Sequence, residues 1–261
     1  MPAPGKGDHH SSSWPRAAEP FAVSGRPSAT RAARSFKPRR GRFTPQQRVA
    51  YEVLAPALLL TPVVGPLDHQ AAFGRVAPLV VDIGFGMGDS TIALAHQFPD
   101  RNILGIDVHV PGIANVALHA DTIGLRNIRL IATDAIDVLT YMLSEGSVRL
   151  MQIAFPDPWP KVSQAHRRLV DEAFIERTGR CLDDGGEFRA ATDSPGYAAQ
   201  MLRVLTMSHM MRNSAREPFA HRNPMRPVTK YERRAIDAGR PIFELCFERV
   251  QRDGSNTAGS T

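Results

Sequence analysis

Three things are scarce in this 261-residue chain: cysteine, acidic residues near the N-terminus, and long apolar runs. The two cysteines, Cys181 and Cys246, are far apart and fit no metal-ligand spacing. Both read as small core residues of a protein kept in a reducing cytoplasm. His9 and His10 lie in a polar leader and call for no metal. No stretch of about 18 apolar residues occurs, so no membrane-spanning helix is expected. "MPAPGKGDHHSSSWPR" lacks a charged start followed by an apolar core, so it does not read as a secretory signal. No internal repeat is visible.

The missing acids are the most localised absence. Between Glu19 and Glu52 there is no Asp or Glu, while Arg26, Arg31, Arg34, Lys37, Arg39, Arg40, Arg42 and Arg48 supply eight positive charges. Subtracting those eight from the formal net charge of +6 leaves −2 for the remainder. The basic character is thus largely an arm on a near-neutral body. It is either a solvated leader or a segment that meets a polyanion such as RNA. Residues 1–35, rich in Pro, Ser, Ala, Gly and Arg, are expected to be disordered, as is the tail 251–261. The body, 36–250, belongs to a chain that is 43% hydrophobic, enough for one sizeable core.

Within the body, apolar runs alternate with helical spacing. A helix is expected from Thr44, with Pro45 in its first turn. Strands are expected at "LVVDIG" (79–84), "NILGIDVH", "IRLIATDA", "VRLMQIAFPDP" and 186–192. Helices are expected at "DSTIALAHQFP", "PGIANVALHADTIGL", "IDVLTYML", 165–182 and 196–207, with two late segments near 209–214 and 241–250. Strands alternating with helices predict an α/β fold, a doubly wound, mostly parallel sheet with helices on both faces.

"VDIGFGMGDS" occupies a strand-to-helix junction, where Gly84, Gly86 and Gly88 let the backbone turn sharply against a ligand. It lacks the third glycine of a G-x-G-x-x-G dinucleotide fingerprint; Asp89 stands there instead. A carboxylate beside the helix N-terminus disfavours a pyrophosphate. S-adenosylmethionine (AdoMet), which has no phosphate, fits better. Asp107, Asp134, Asp157 and Asp193 end four successive strands, and ligands of an open parallel sheet bind at those ends. Asp107 suits the ribose hydroxyls and Asp134 the adenine amine. Asp157 stands apart: "IAFPDPWPK" sets it between Pro156 and Pro158 on a backbone with little freedom. Trp159 beside it has two readings, stacking on a substrate base or packing beneath the loop. The methionines at 201, 207, 210 and 211 read as core or surface filler.

The order "DIGFGMGDS", "GIDVHVPG", "DA", "FPDPWPK", "RRLV", "ATD" and "RPVTKYERR" resembles the bacterial tRNA (guanine-N7)-methyltransferase family, from about Arg34 to Val250. "FPDPWPK" and "TKYERR" are specific to it, whereas the glycine loop is shared by many AdoMet enzymes. The resemblance implies a Rossmann-like class I methyltransferase fold with a seven-stranded sheet whose last strand is antiparallel. It also implies AdoMet as donor without a metal, and guanosine 46 of the tRNA variable loop as acceptor. Asp82, Asp107 and Asp134 match AdoMet-binding positions, although the family usually has Glu at the first two. Asp157 matches the active-site Asp, which also lies against AdoMet. Lys161, Asp193, Thr229, Lys230, Tyr231 and Glu232 match tRNA-substrate positions; Lys230 suits a phosphate, Glu232 the guanine edge, and Thr229 a turn cap. After "PDPWPK" the family carries a dense basic cluster, of which this chain keeps His166, Arg167 and Arg168. The expected partner is tRNA, with the protein a cytoplasmic monomer or homodimer. The competing readings are an AdoMet methyltransferase for another amine, a nicotinamide oxidoreductase, and a non-catalytic RNA-binding protein.

Overall fold

The computed structural model describes residues 43–251. The basic arm up to Arg42 and the tail from Arg252 lie outside these residues, and with them the expectation of disorder there. Seven strands form one sheet: β1 (Leu79–Ile83), β2 (Asn102–Ile106), β3 (Ile128–Ile131), β4 (Val148–Ala154), β5 (Leu182–Thr192), β6 (Met211–Asn213) and β7 (Phe243–Arg249). Their order is β3-β2-β1-β4-β5-β7-β6. The first five are parallel, and β7 runs antiparallel to both β5 and β6. This is the doubly wound, seven-stranded, Rossmann-like arrangement expected. The chain order reverses between β1 and β4, which opens a crevice at their carboxyl ends.

Helices cover both faces because both faces are apolar. Leu79, Val81 and Ile83 of β1 join one buried cluster, while Val80 joins the other. On the first face lie α5 (Ala135–Tyr141), α6 (Glu172–Cys181) and α7 (Pro195–Met207), contributing Val138, Phe174 and Tyr197. On the second lie α3 (Asp89–Gln97) and α4 (Val110–Ile123), contributing Leu94, Ile113 and Val116. The first helix, α1 (Pro45–Val49), starts as its sequence predicts. Thr44 and Gln47 form a reciprocal capping box, and Pro45 sits where no amide hydrogen is needed.

Three elements differ from expectation. The helix predicted over 165–182 is divided: a 3-10 turn spans Val162–Arg167, and α6 begins only at Glu172, where Asp171 accepts from the Phe174 amide and caps it. The intervening Val170 is held by tertiary bonds, its amide donating to Tyr197 Oη and its carbonyl accepting from Gln200. A short α2 (His69–Phe73) is capped by Asp68 and stopped by Gly74 at φ 72°, signals too brief to show helical periodicity. Thr229, expected to cap a turn, caps a helix, α8 (Lys230–Asp237).

Candidate active site

The loop after β1 is built for close backbone approach. Gly84, Gly86 and Gly88 all have φ between 60° and 92°, a region that strains other residues. A Cβ on Gly88 would lie 2.1 Å from Val116 Cγ2. Across the loop, a Cβ on Gly112 would lie 1.7 Å from the Gly86 carbonyl oxygen. Gly112 in the first turn of α4 therefore sets how near that helix comes to the loop. Sequence reading passed over it, because a single glycine in a helical run carries no pattern of its own.

Asp107 closes the loop. It follows β2, and its Oδ2 accepts from the Gly86 amide at 2.7 Å while Oδ1 accepts from the His109 amide at 2.8 Å. Burial raises its pKa to about 6 against the opposing pull of these amides. Asp134, beyond β3, is half-buried and caps α5 through the Ile136 amide at 3.0 Å. Asp107, Asp134, Asp157 and Asp193 thus all lie just past the carboxyl ends of parallel strands.

Asp82 has a different place. It is 1% exposed in mid-strand; Oδ2 accepts from Ser90 Oγ at 2.6 Å and Thr91 Oγ1 at 2.7 Å, and Oδ1 from Gln152 at 3.0 Å. Burial raises its pKa, and these three donors oppose the rise. Asp82 thus ties the end of β1 to the first turn of α3 and to β4.

The Asp157 loop departs from β4 by a sharp change of direction. Phe155 (φ 53°) and Trp159 (φ 40°) are the two non-glycine residues with positive φ among those described. Such backbone persists only where its surroundings over-determine it. The Phe155 amide donates to Ala191 on β5 at 2.7 Å. Arg168 donates to the Pro158 carbonyl at 2.9 Å and to Gln200 at 2.8 Å, and lies over the Tyr197 ring. Trp159 is 4% exposed with the Arg167 guanidinium 4.4 Å from its ring centre. It packs beneath the loop, which decides between its two readings. Two of the three basic residues kept after the motif thus brace the loop itself. Asp157 is half-buried at its apex.

The remaining predicted residues lie after the loop, after β5 and at the start of α8. Lys161 and Lys230 are exposed, and Tyr231 is 38% exposed. Asp193 accepts from Arg240 at 2.9 Å. Thr229 Oγ1 accepts from the Glu232 amide at 3.2 Å. Glu232 is fully buried, and its oxygens accept from Arg222 at 2.7 Å and Arg226 at 2.7 and 3.0 Å, which anchors the first turn of α8. Among the described residues no group of three His, Cys, Asp or Glu side chains could hold a metal, and no helix is long and apolar enough to cross a membrane.

A family profile described as a putative methyltransferase matches residues 76–245. Relatives named tRNA (guanine-N(7)-)-methyltransferase align over most of the chain. That of Pectobacterium atrosepticum is 40% identical over 232 residues, covering 88% of this chain and 96% of its own. That of Aeromonas hydrophila is 41% identical over 221 residues, covering 84% and 93%. Among solved structures, the 16S rRNA methyltransferase KamB matches with a TM-score of 0.50 at 14% identity, over 69% of this chain and 91% of its own. That likeness concerns the fold alone.

Proposed function

The chain belongs to the tRNA (guanine-N7)-methyltransferase family, and from this premise we propose that it transfers the methyl group of AdoMet to N7 of guanosine 46 in the variable loop of tRNA. The observation that carries the reading is Asp157: a carboxylate at the carboxyl end of β4, on a loop braced from several sides, next along the sheet to the glycine turn after β1.

The residues present suit AdoMet. The turn leaves open space for a ligand beside Gly84 and Gly86, and Asp89 in the first turn of α3 disfavours a phosphate there. Asp107, held by backbone amides, presents a carboxylate to ribose hydroxyls, and Asp134 offers an acceptor to an adenine amine. When bound, AdoMet supplies an electrophilic methyl group on a sulfonium. Guanine N7 has a free lone pair, so the chain needs no base to remove a proton. Its task is alignment and stabilisation of the positive charge that appears on the purine. A fixed carboxylate at Asp157 provides the second, and accepts from the guanine N1–H and amino edge. The base must leave its stack, at a cost of a few kcal/mol. Exposed Lys161 and Lys230 suit phosphate contacts, with Tyr231 and Asp193 at the same rim and Thr229 setting the first turn of α8. The basic arm would add sequence-independent attraction to the backbone.

The test is methyl transfer from labelled AdoMet to unmodified tRNA, with the product nucleoside identified by mass. 7-Methylguanosine is the expected product. An N-methylated exocyclic amine, or no transfer, would overturn the proposal.

A further inference from the structure

We propose that Arg226 is a positioning residue that couples the first turn of α8 to the loop carrying Asp157; this rests on the methyl-transfer reading above. Its guanidinium touches three separate elements. Nη1 and Nη2 donate to Glu232 in α8, and Nη2 donates also to Glu244 on β7 at 2.7 Å. The same group lies 5.6 Å from the centre of the Phe155 ring, two residues before Asp157. Its side chain is 8% exposed.

Phe155 is the point of leverage. Its φ of 53° sets the direction in which the chain leaves β4, so whatever holds the ring also aims Asp157. A cation over the ring face favours one placement of that ring over others. At its other end the guanidinium grips Glu232, two residues after Lys230 and one after Tyr231. Those are exposed groups placed to meet RNA. A shift of the first turn of α8 is therefore passed through Glu232 and Arg226 to Phe155.

Stability alone is a poor reason for this arrangement. A buried ion cluster is seldom more stabilising than apolar packing of the same volume. Among the described residues Arg226 Nε is buried with no hydrogen-bond partner, so the placement does not maximise its own bonding. The cluster is balanced in charge: Arg222 and Arg226 face Glu232 and Glu244. Burial alone would raise the Glu232 carboxyl, but the two guanidiniums outweigh it and hold Glu232 below its usual range. Burial likewise opposes the charge on Arg226, and Glu232 and Glu244 outweigh it. The cluster stays ionised around neutral pH, so it works as a linkage and not as a pH switch.

The test uses the full chain with Trp14→Phe, leaving Trp159 as its only tryptophan. Arg226→Gln alone strands two buried carboxylates, so it is combined with Glu244→Gln, which leaves the neutral pair Arg222–Glu232. A second variant, Phe155→Leu, removes the ring and leaves the cluster intact. For both, kcat with tRNA should fall at least tenfold while AdoMet affinity stays within twofold. Without any substrate, Trp159 emission should shift to the red as its loop loosens. The proposal is overturned if kcat stays within twofold of the parent, or if Trp159 emission does not move. A parent that transfers no methyl group to tRNA would instead sink the functional reading, while the emission measurement still decides the role of Arg226.

Discussion

Arg168 Nε donates to the carbonyl oxygen of Pro158 at 2.9 Å, so the residue beside Asp157 is tied to a guanidinium that also reaches Gln200 on α7. One side chain thus joins the loop to a helix whose inner face is part of the core. A lysine cannot span both acceptors with a planar fork. Arg168→Lys should lower kcat about tenfold, a loss of about 1.4 kcal/mol in transition-state stabilisation. AdoMet affinity should stay within twofold in calorimetry. Equal losses in both would mean that Arg168 supports the fold at large.

Asp157→Asn keeps the shape of the side chain and removes its charge. Turnover should fall by about 10²–10³, the scale of losing one preorganised electrostatic group, with AdoMet binding weakened only a few-fold. Single-turnover methyl transfer provides the measurement. A variant within a few-fold of the parent would remove Asp157 from the chemistry.

Asp107 gives a pH signature. Its carboxyl is raised to about 6 chiefly by burial, and ribose hydroxyls need the ionised form as acceptor. AdoMet affinity should be flat above pH 7 and fall as pH drops through about 6, following one proton. The folding contribution has the opposite sense, because a raised carboxyl favours the folded chain at low pH and loses that advantage as pH rises through 6. Asp107→Asn should abolish the step in the binding profile, measured by calorimetry from pH 5 to 8. A step that survives in this variant belongs to another group.

Gly112→Ala places a methyl group 1.7 Å from the Gly86 carbonyl oxygen, a clash with backbone that only a shift of α4 or the glycine loop relieves. AdoMet affinity should fall at least tenfold and thermal stability should drop by about 1–3 kcal/mol, the usual scale of overpacking. Gly124→Ala is the control: Gly124 ends α4, and nothing lies within 4 Å of its added Cβ. It should cost stability through its φ of 73° and leave AdoMet affinity intact.

The basic arm is tested by salt. Each phosphate neutralised contributes about 0.7–0.9 to the slope of log affinity against log salt. Deleting residues 1–42 should flatten that slope by several units and leave AdoMet affinity unchanged. Deletion to Ala33, which removes fewer basic residues, should flatten it less. An unchanged slope in both truncations would make the arm a solvated leader.

The alternating strands and helices were legible because both faces of the sheet are covered, which writes continuous apolar runs such as "LVVDI" into the sequence. The strand-end carboxylates were legible for the same reason: a parallel sheet has one functional edge. What was hidden depends on contacts distant in sequence. Val170 looks helical, but its amide and carbonyl are taken by Tyr197 and Gln200 and it lies outside any helix. The burial of Glu232 depends on its pairing with Arg222 and Arg226, which spacing alone does not reveal. That Ser90, Thr91 and Gln152 all donate to Asp82 is likewise visible only in the fold. Trp159 was undecided because stacking on a base and packing under a loop leave the same trace in sequence.

The most direct test of the whole account compares two unmodified tRNA transcripts that differ only at position 46, one with guanosine and one with adenosine, each incubated with the full chain and labelled AdoMet. The guanosine transcript should gain one methyl group per tRNA, recovered as 7-methylguanosine, and the adenosine transcript should gain none. Equal labelling of both transcripts, or a labelled nucleoside other than 7-methylguanosine, would contradict it.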